Sequence, residues 1–209
     1  MLINLAIHPE WREKCKEEIR ALFSRHLGSS ASGPLSDKLA AIPASAWEDE
    51  LPILDACIRE SQRIAANGAL IRRNLSQGGM KIDGQVVRRG DFVAYLLRDA
   101  HLNPRYYPEP DKYDPSRWLQ SGPVSSVTHP FFGWGAGRHA CTGVKMAKLE
   151  MKLISVMFLT RYEYELVDKD GRFPDPLPVP NRNDLHQVCG MADRPNFGLG
   201  AHRVSSLFV

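Results

Sequence analysis

The sequence holds no run of about 18 consecutive apolar residues, the length a membrane-spanning helix needs. Met1-Leu2-Ile3-Asn4-Leu5-Ala6-Ile7 is too short for a secretory signal and has no basic segment before it. Cysteine is scarce: Cys15, Cys57, Cys141 and Cys189 stand far apart, and none belongs to a Cys-x-x-Cys pair. That spacing argues against a disulfide framework or a zinc site, and for a reducing, intracellular compartment. An excess of either charge is also missing. The net charge of +3 is too mild to argue for nucleic acid as a partner. No internal repeat is present. What remains is ordinary globular composition, 43% hydrophobic and 24% charged. Its 209 residues suit one domain or two.

One stretch organises the chain: Phe131-Phe132-Gly133-Trp134-Gly135-Ala136-Gly137-Arg138-His139-Ala140-Cys141-Thr142-Gly143. A single cysteine ends a glycine-rich loop. A long helical pattern follows over residues 144–160, with Ala147, Met151, Ile154 and Phe158 as its expected apolar face. Cys141 therefore lies beside the positive end of a helix, near free backbone N–H groups, which favours thiolate over thiol. Glycines allow positive φ and close approach to a flat ligand. An exposed thiolate in such a cradle can serve as a soft axial ligand to iron.

Residues 8–26 read as an amphipathic surface helix, with Trp11, Cys15, Ile19, Leu22 and Phe23 on one side and Arg12, Glu13, Lys16, Glu17 and Arg20 elsewhere. Residues 28–34 form a Gly/Ser loop. A second helix is expected over 51–66 and contains Glu60-Ser61-Gln62-Arg63, whose Glu and Arg share a face and can pair. Strands are expected at 69–75 and 92–97, with a hairpin of 80–82 and 85–88 around the Asp83-Gly84 turn. Residues 103–118 carry too many prolines for a helix and read as ordered irregular chain. A strand at 162–167, a Pro-rich connector at 174–180 and a terminal hairpin of 185–191 with 197–204 close the chain.

In this order the motifs resemble the cytochrome P450 family, whose haem loop runs aromatic-x-x-Gly-x-(Arg or His)-x-Cys-x-Gly. Here it reads Trp134, Gly137, His139, Cys141 and Gly143, with Trp in place of the usual Phe. The family also carries Glu-x-x-Arg, a later Arg that completes a buried cluster (here Arg117), and the order Asn-Pro-x-x-Tyr-Pro-x-Pro between sheet and loop, here from Asn103. The resemblance covers nearly the whole chain and has the look of fungal and other eukaryotic microsomal members. It implies a mainly α fold with small β-sheets (α+β), the C-terminal part of a single P450 domain. Its expected layout is helices over 1–66, a small sheet over 67–98, a meander over 99–130, the haem loop at 131–143, a proximal helix at 144–161 and terminal strands over 162–209.

The resemblance implies haem b, iron protoporphyrin IX, held by the Cys141 thiolate. Gly135, Gly137 and Gly143 would admit the porphyrin, Trp134 would shield the sulfur, and His139 and Arg72 (or Arg73) would hold propionates. Glu60, Arg63 and Arg117 would fix the scaffold. Asn67, Gly68, Ala69 and Leu70 would line the substrate cavity. The implied reaction inserts one atom of O2 into a small organic substrate. Electrons would come from NADPH through cytochrome P450 reductase, or from cytochrome b5, docking on a basic face built from Lys145, Lys148 and Lys152. A solvated face is the plainer account of those lysines.

A complete family member is roughly twice this length or more, so the chain is expected to start just past the family's central helix, without its proton-delivery residues. Membrane attachment, to the endoplasmic reticulum, would come only through an N-terminal part not in this sequence. Three readings follow: a monooxygenase present as its C-terminal part, a non-catalytic haem-binding fragment or relic, and a dinucleotide-binding domain using Gly135-x-Gly137-x-x-Ala140. The last leaves Cys141 without a role. Asn74-Leu75-Ser76 is a glycosylation triplet read as chance. His8, His101, His129 and His186 have no partner spacing and are assigned no role.

Overall fold

Prolines mark where four of the described helices begin. The computed structural model describes residues 1–27, 33–66, 68–119 and 131–177, and the backbone of 197–203. Pro9 and Pro52 are the first residues of α2 (Pro9–Leu27) and α5 (Pro52–Ala65). Pro34 and Pro43 directly precede α3 (Leu35–Ala41) and α4 (Ala44–Asp49). Proline's fixed φ suits a first helical turn, where its missing N–H costs nothing. The other helices among the described residues are α1 (Leu2–Ile7), α6 (Leu97–His101) and α7 (Val144–Arg161).

α5 has no side-chain cap of its own. Glu18 on α2 supplies one, accepting the free N–H groups of Ile53 at 2.7 Å and Leu54 at 2.9 Å. Burial raises the Glu18 carboxyl pKa, and those two N–H groups work against the rise. The contact locks α2 to α5. Around it lies the core: Leu5, Cys15, Ile19 and Leu22 meet Leu54 and Cys57 of α5 and Val156 and Leu159 of α7, all fully buried. Burying each Leu or Ile contributes about 1.5 to 3 kcal/mol, so these helices form the rigid base for everything that follows. Leu39 of α3 and Trp47 of α4 close one edge.

The buried face of α7 differs from the expected one. Lys152, Ser155, Val156, Leu159 and Thr160 are buried, while Ile154 is 63% exposed. Apolar periodicity misplaced the face because a lysine lies at its centre. Lys152 Nζ donates to the carbonyls of Trp47 (2.9 Å) and Glu48 (3.1 Å) and lies 3.4 Å from Asp55. It satisfies C-terminal carbonyls of α4 that would otherwise be orphaned. Lys16, expected on the polar side of α2, is likewise buried and pairs with Glu163 and Glu13.

All sheets among the described residues are small and antiparallel. β1 (Ala69–Arg73) pairs with β4 (Phe92–Leu96), and β2 (Met80–Ile82) with β3 (Gln85–Val87). Asp83 (φ 46°) and Gly84 (φ 78°) supply the two positive φ values of a type I′ hairpin turn. β1 stops at Arg73, because Asn74 turns inward and donates to the carbonyls of Val87 and Arg88. Its amide is thus used inside the fold, which excludes the glycosylation reading. β4 stops one residue short of the expected strand, since Leu97 opens α6. β5 (Tyr162–Asp168) pairs along its whole length with β6 (Phe197–Arg203). The expected hairpin partner at 185–191 lies outside the described residues.

The architecture is mainly helical with small antiparallel sheets. Among the described residues, no helix is long and apolar enough to cross a membrane. Removing the Lys152 ammonium strands two carbonyls and leaves Asp55 with Lys148 as its ion-pair partner. Lys152→Ala is expected to lower stability by about 2 to 3 kcal/mol, and Lys145→Ala, at the exposed start of α7, by less than about 0.5 kcal/mol. Urea unfolding midpoints of the two variants check this contrast.

Candidate functional site

The site rests on one buried carboxylate. Glu60 on α5 is fully buried, and both its oxygens are saturated by N–H donors. Arg63, one turn on, grips it with two bonds, Nε to Oε2 at 2.9 Å and Nη2 to Oε1 at 2.8 Å. Arg117 Nε donates to Oε1 at 3.3 Å, Trp118 Nε1 to Oε2 at 2.9 Å, and the Asp114 backbone N–H to Oε1 at 3.0 Å. The guanidiniums then reach further. Arg63 donates to the carbonyls of His101 (2.7 Å), Pro110 (2.7 Å) and Lys112 (3.2 Å), and Arg117 to that of Glu109 (3.1 Å). A proline-rich segment has no ladder to satisfy its carbonyls, so the arginines serve as its partners. Residues 102–114 are held in an irregular path by charge rather than by secondary structure, and a short 3-10 turn over Pro115–Trp118 then carries Arg117 and Trp118 to the carboxylate.

Aromatic rings carry that order to the cysteine loop. Arg59 lies over the rings of Trp118 (4.1 Å) and Phe131 (5.0 Å), which meet edge to face at 5.4 Å. His101 stacks on Phe131 at 5.0 Å, and its Nε2 accepts the Phe132 N–H at 2.8 Å. The His101 pKa falls from 6.5 to about 4, first through burial and then through the positive charge of Arg63.

The loop then closes on itself. Gly135 N–H donates to the Phe132 carbonyl (2.9 Å), and Cys141 N–H to the Trp134 carbonyl (2.7 Å). Gly135 (φ 74°) and Gly137 (φ 64°) take left-handed conformations that a side chain would strain. A Cβ on Gly135 would also press on the His139 carbonyl at 3.2 Å. Gly137 opens a short 3-10 turn ending at His139, whose side chain is exposed. The Cys141 thiol is exposed, two residues before Gly143, the N-cap of α7. α7 has no side-chain cap, so the thiol neighbours an end whose N–H groups no side chain occupies among the described residues. Trp134 is half-buried.

Arg72 lies in β1 opposite Val93, and Leu70 opposite Tyr95. Residues directly opposite or two apart share a sheet face. Tyr95 meets Phe132 edge to face at 5.2 Å, so Arg72 and Leu70 lie on the face turned to the cysteine loop. Arg73 lies on the other face, with its Nε on the Gly90 carbonyl (3.3 Å) and its guanidinium over Phe92. Gly68 accepts the Leu97 N–H, Ala69 is exposed and Leu70 half-buried. Asn67 lies outside the described residues.

The structure thus brings Glu60, Arg63 and Arg117 into direct contact and gathers Trp134, Gly135, Gly137, His139, Cys141 and Gly143 on one loop. Sequence reasoning missed His101 and Arg59. Neither shows a spacing signal, because one acts through a backbone N–H and both through ring faces. The basic face expected on α7 is largely absent. Lys148 pairs with Asp55 at 3.2 Å and Lys152 is buried, which leaves Lys145 as the exposed lysine of the three. The dinucleotide reading also fails. α7 begins at Val144, beyond the glycines, and β5 pairs antiparallel with β6 instead of continuing a parallel βαβ unit. Among the described residues, no group of three His, Cys, Asp or Glu side chains could hold a metal ion, so the loop offers a single thiol ligand.

A family model for cytochrome P450 matches residues 1–189. Cytochrome P450 monooxygenase AacuE of Aspergillus aculeatus is 35% identical over 175 residues, covering 82% of this chain and 35% of that protein. Cytochrome P450 monooxygenase nsrP of Aspergillus novofumigatus is 34% identical, covering 86% of this chain and 35% of that protein. Cytochrome P450 4A2 of Rattus norvegicus is 30% identical, with 87% and 33% covered. Among solved structures, retinoic acid-bound cyanobacterial CYP120A1 superposes with a TM-score of 0.65 at 23% identity, over 96% of this chain and 40% of that one. That likeness defines the fold class, helical with small antiparallel sheets. The chain belongs to the cytochrome P450 family. It spans about a third of the length of these curated relatives.

Two outcomes follow from the cluster. Glu60→Ala leaves two guanidiniums without their shared carboxylate and is expected to cost about 3 to 5 kcal/mol, read from denaturant midpoints. Because the folded state holds His101 neutral, its contribution is fully present above pH 6.5 and is lost as pH falls from 6.5 through about 4. A gap of that size corresponds to about 3 kcal/mol. Stability measured at pH 7 and pH 4 should show this acid loss in the wild type and a smaller one in His101→Gln.

Proposed function

We propose that the chain is the C-terminal, cysteine-bearing part of a haem-thiolate monooxygenase. The observation that carries the reading is the exposed Cys141 thiol, held on a glycine-shaped loop at the start of α7. The residues present suit haem b. An unblocked sulfur is a soft ligand for iron, and open space lies beside Gly137, where a Cβ would meet no atom within 4 Å. Bound haem supplies the redox chemistry that inserts one atom of O2 into an organic substrate.

Each residue then has a task. Cys141 binds iron through Sγ as thiolate. Trp134 shields that sulfur from water. His139 and Arg72 hold the propionates, and the loop-facing side of β1 supports the second assignment. Gly68, Ala69 and Leu70, with Asn67 before them, border the substrate. Glu60, Arg63 and Arg117 keep the loop in place. The domain is read as one unit, helices first, then sheet, meander, haem loop, proximal helix and terminal strands. Electrons come from NADPH through a reductase or cytochrome b5. Its docking rests less on lysines of α7 than the sequence alone suggests, since two of the three are engaged within the fold. In a longer parent, an N-terminal segment would attach the enzyme to the endoplasmic reticulum membrane.

The outer face of the β1–β4 sheet supports a longer parent. Ile71, Phe92 and Leu96 are exposed there at 55%, 68% and 45%, an apolar face of the kind that folded proteins cover. The alternative reading is a haem-binding chain without turnover. Reconstitution with haem separates the readings. The reduced, carbon monoxide-bound chain is expected to show a strongly red-shifted Soret band, and Cys141→Ala to lose it. Supplied with NADPH and reductase, the 209-residue chain alone is expected to oxidise no substrate. A Soret band unaffected by Cys141→Ala would overturn the thiolate assignment.

A further inference from the structure

His101 is fully buried at the end of α6, between the charge cluster and the cysteine loop. Its carbonyl accepts Arg63 Nη1 at 2.7 Å, so its backbone belongs to the Glu60 cluster. Its ring belongs to the loop, stacking on Phe131 at an interplanar angle of 11° and accepting the Phe132 N–H through Nε2. One residue thus joins the two parts of the site.

The tautomer follows from the bond. An Nε2 that accepts carries no proton, so the neutral ring holds its proton on Nδ1. Nδ1 is buried without a hydrogen-bond partner among the described residues. Were the position needed only for packing, a phenylalanine would stack on Phe131 equally well and strand no buried N–H. An imidazole there is justified by its acceptor. The bond it accepts begins a chain. The Phe132 carbonyl takes the Gly135 N–H, and the Trp134 carbonyl takes the Cys141 N–H. Fixing the peptide at Phe132 therefore fixes the frame from which Cys141 is presented.

We propose that His101 is a positioning residue for Cys141, its Nε2 setting the entry of the cysteine loop against the Glu60–Arg63 cluster. The placement deepens the haem-thiolate reading and rests on it for its purpose, but the bond exists without haem. Its first test therefore uses the chain without haem. His101→Phe keeps the stacking and removes the acceptor. His101→Gln loses the stacking and keeps an acceptor at similar reach.

Amide hydrogen exchange over residues 131–141 is the readout, with α2 and α5 as internal reference. In His101→Phe, exchange in the loop is expected to rise at least about tenfold while α2 and α5 stay unchanged, one tenfold step being the loss of a modest hydrogen bond. His101→Gln should restore most of the protection. Unchanged loop exchange in His101→Phe would overturn the proposal. So would a rise spread equally over α2 and α5 without rescue by His101→Gln, which would make His101 an ordinary core residue. After haem loading, His101→Phe should shift the carbon monoxide-bound Soret band away from its thiolate position, and His101→Gln should return it. If the wild type itself lacks that band, the haem-thiolate reading fails while the exchange result still stands.

Discussion

A carboxylate taken out of water must be met by donors on every side, and Glu60 is met by five N–H groups. The whole site depends on that constraint. Two of the donor side chains are guanidiniums with N–H groups to spare. Those spare groups reach four backbone carbonyls between His101 and Lys112. A segment too rich in proline for helix or strand thereby gains a fixed path. Helices α2, α5 and α7 supply the rigid base, and Glu18 ties α2 to the start of α5. The cluster is the device that carries this rigidity across irregular chain to the loop.

Between cluster and loop the coupling changes from charge to rings. Arg59, Trp118, Phe131 and His101 form a ring contact: Arg59 lies over Trp118 and Phe131, those two meet edge to face, and His101 stacks on Phe131. The stacked His101–Phe131 pair tolerates small shifts along its plane, so one directional bond is needed to set position. His101 Nε2 provides it at the Phe132 peptide. Beyond that point the loop is held by its own short bonds and by glycines in left-handed conformations, and it ends on an exposed thiol. Rigid support under an exposed ligand is what a haem-thiolate site requires.

Much of this was legible in the sequence where residue type and chemistry coincide. Glu60, Arg63 and Arg117 could be named as one cluster through the family resemblance of their motifs, and the Asp83-Gly84 turn from its dipeptide. Legibility ended where a residue works against its type. Lys152 occupies the centre of the buried face of α7, so apolar periodicity chose Ile154 wrongly. Lys16 is drawn inward by Glu163 and Lys148 is tied down by Asp55, partners distant in sequence. His101 works through a backbone N–H, which no spacing rule reports. The helices α1, α3, α4 and α6 have five to seven residues each, too few to show a period.

The claim that the buried carboxylate delivers the cysteine is tested most directly by an isosteric change far from the thiol. The measurement is the carbon monoxide difference spectrum of haem-loaded Glu60→Gln, taken where circular dichroism shows the helices still formed. The substituted amide keeps the shape but not the charge that orients Arg63 and Arg117. The account predicts that the thiolate band collapses although Cys141 is untouched. A thiolate band of wild-type strength in that variant would contradict it and would leave the loop as a self-sufficient element.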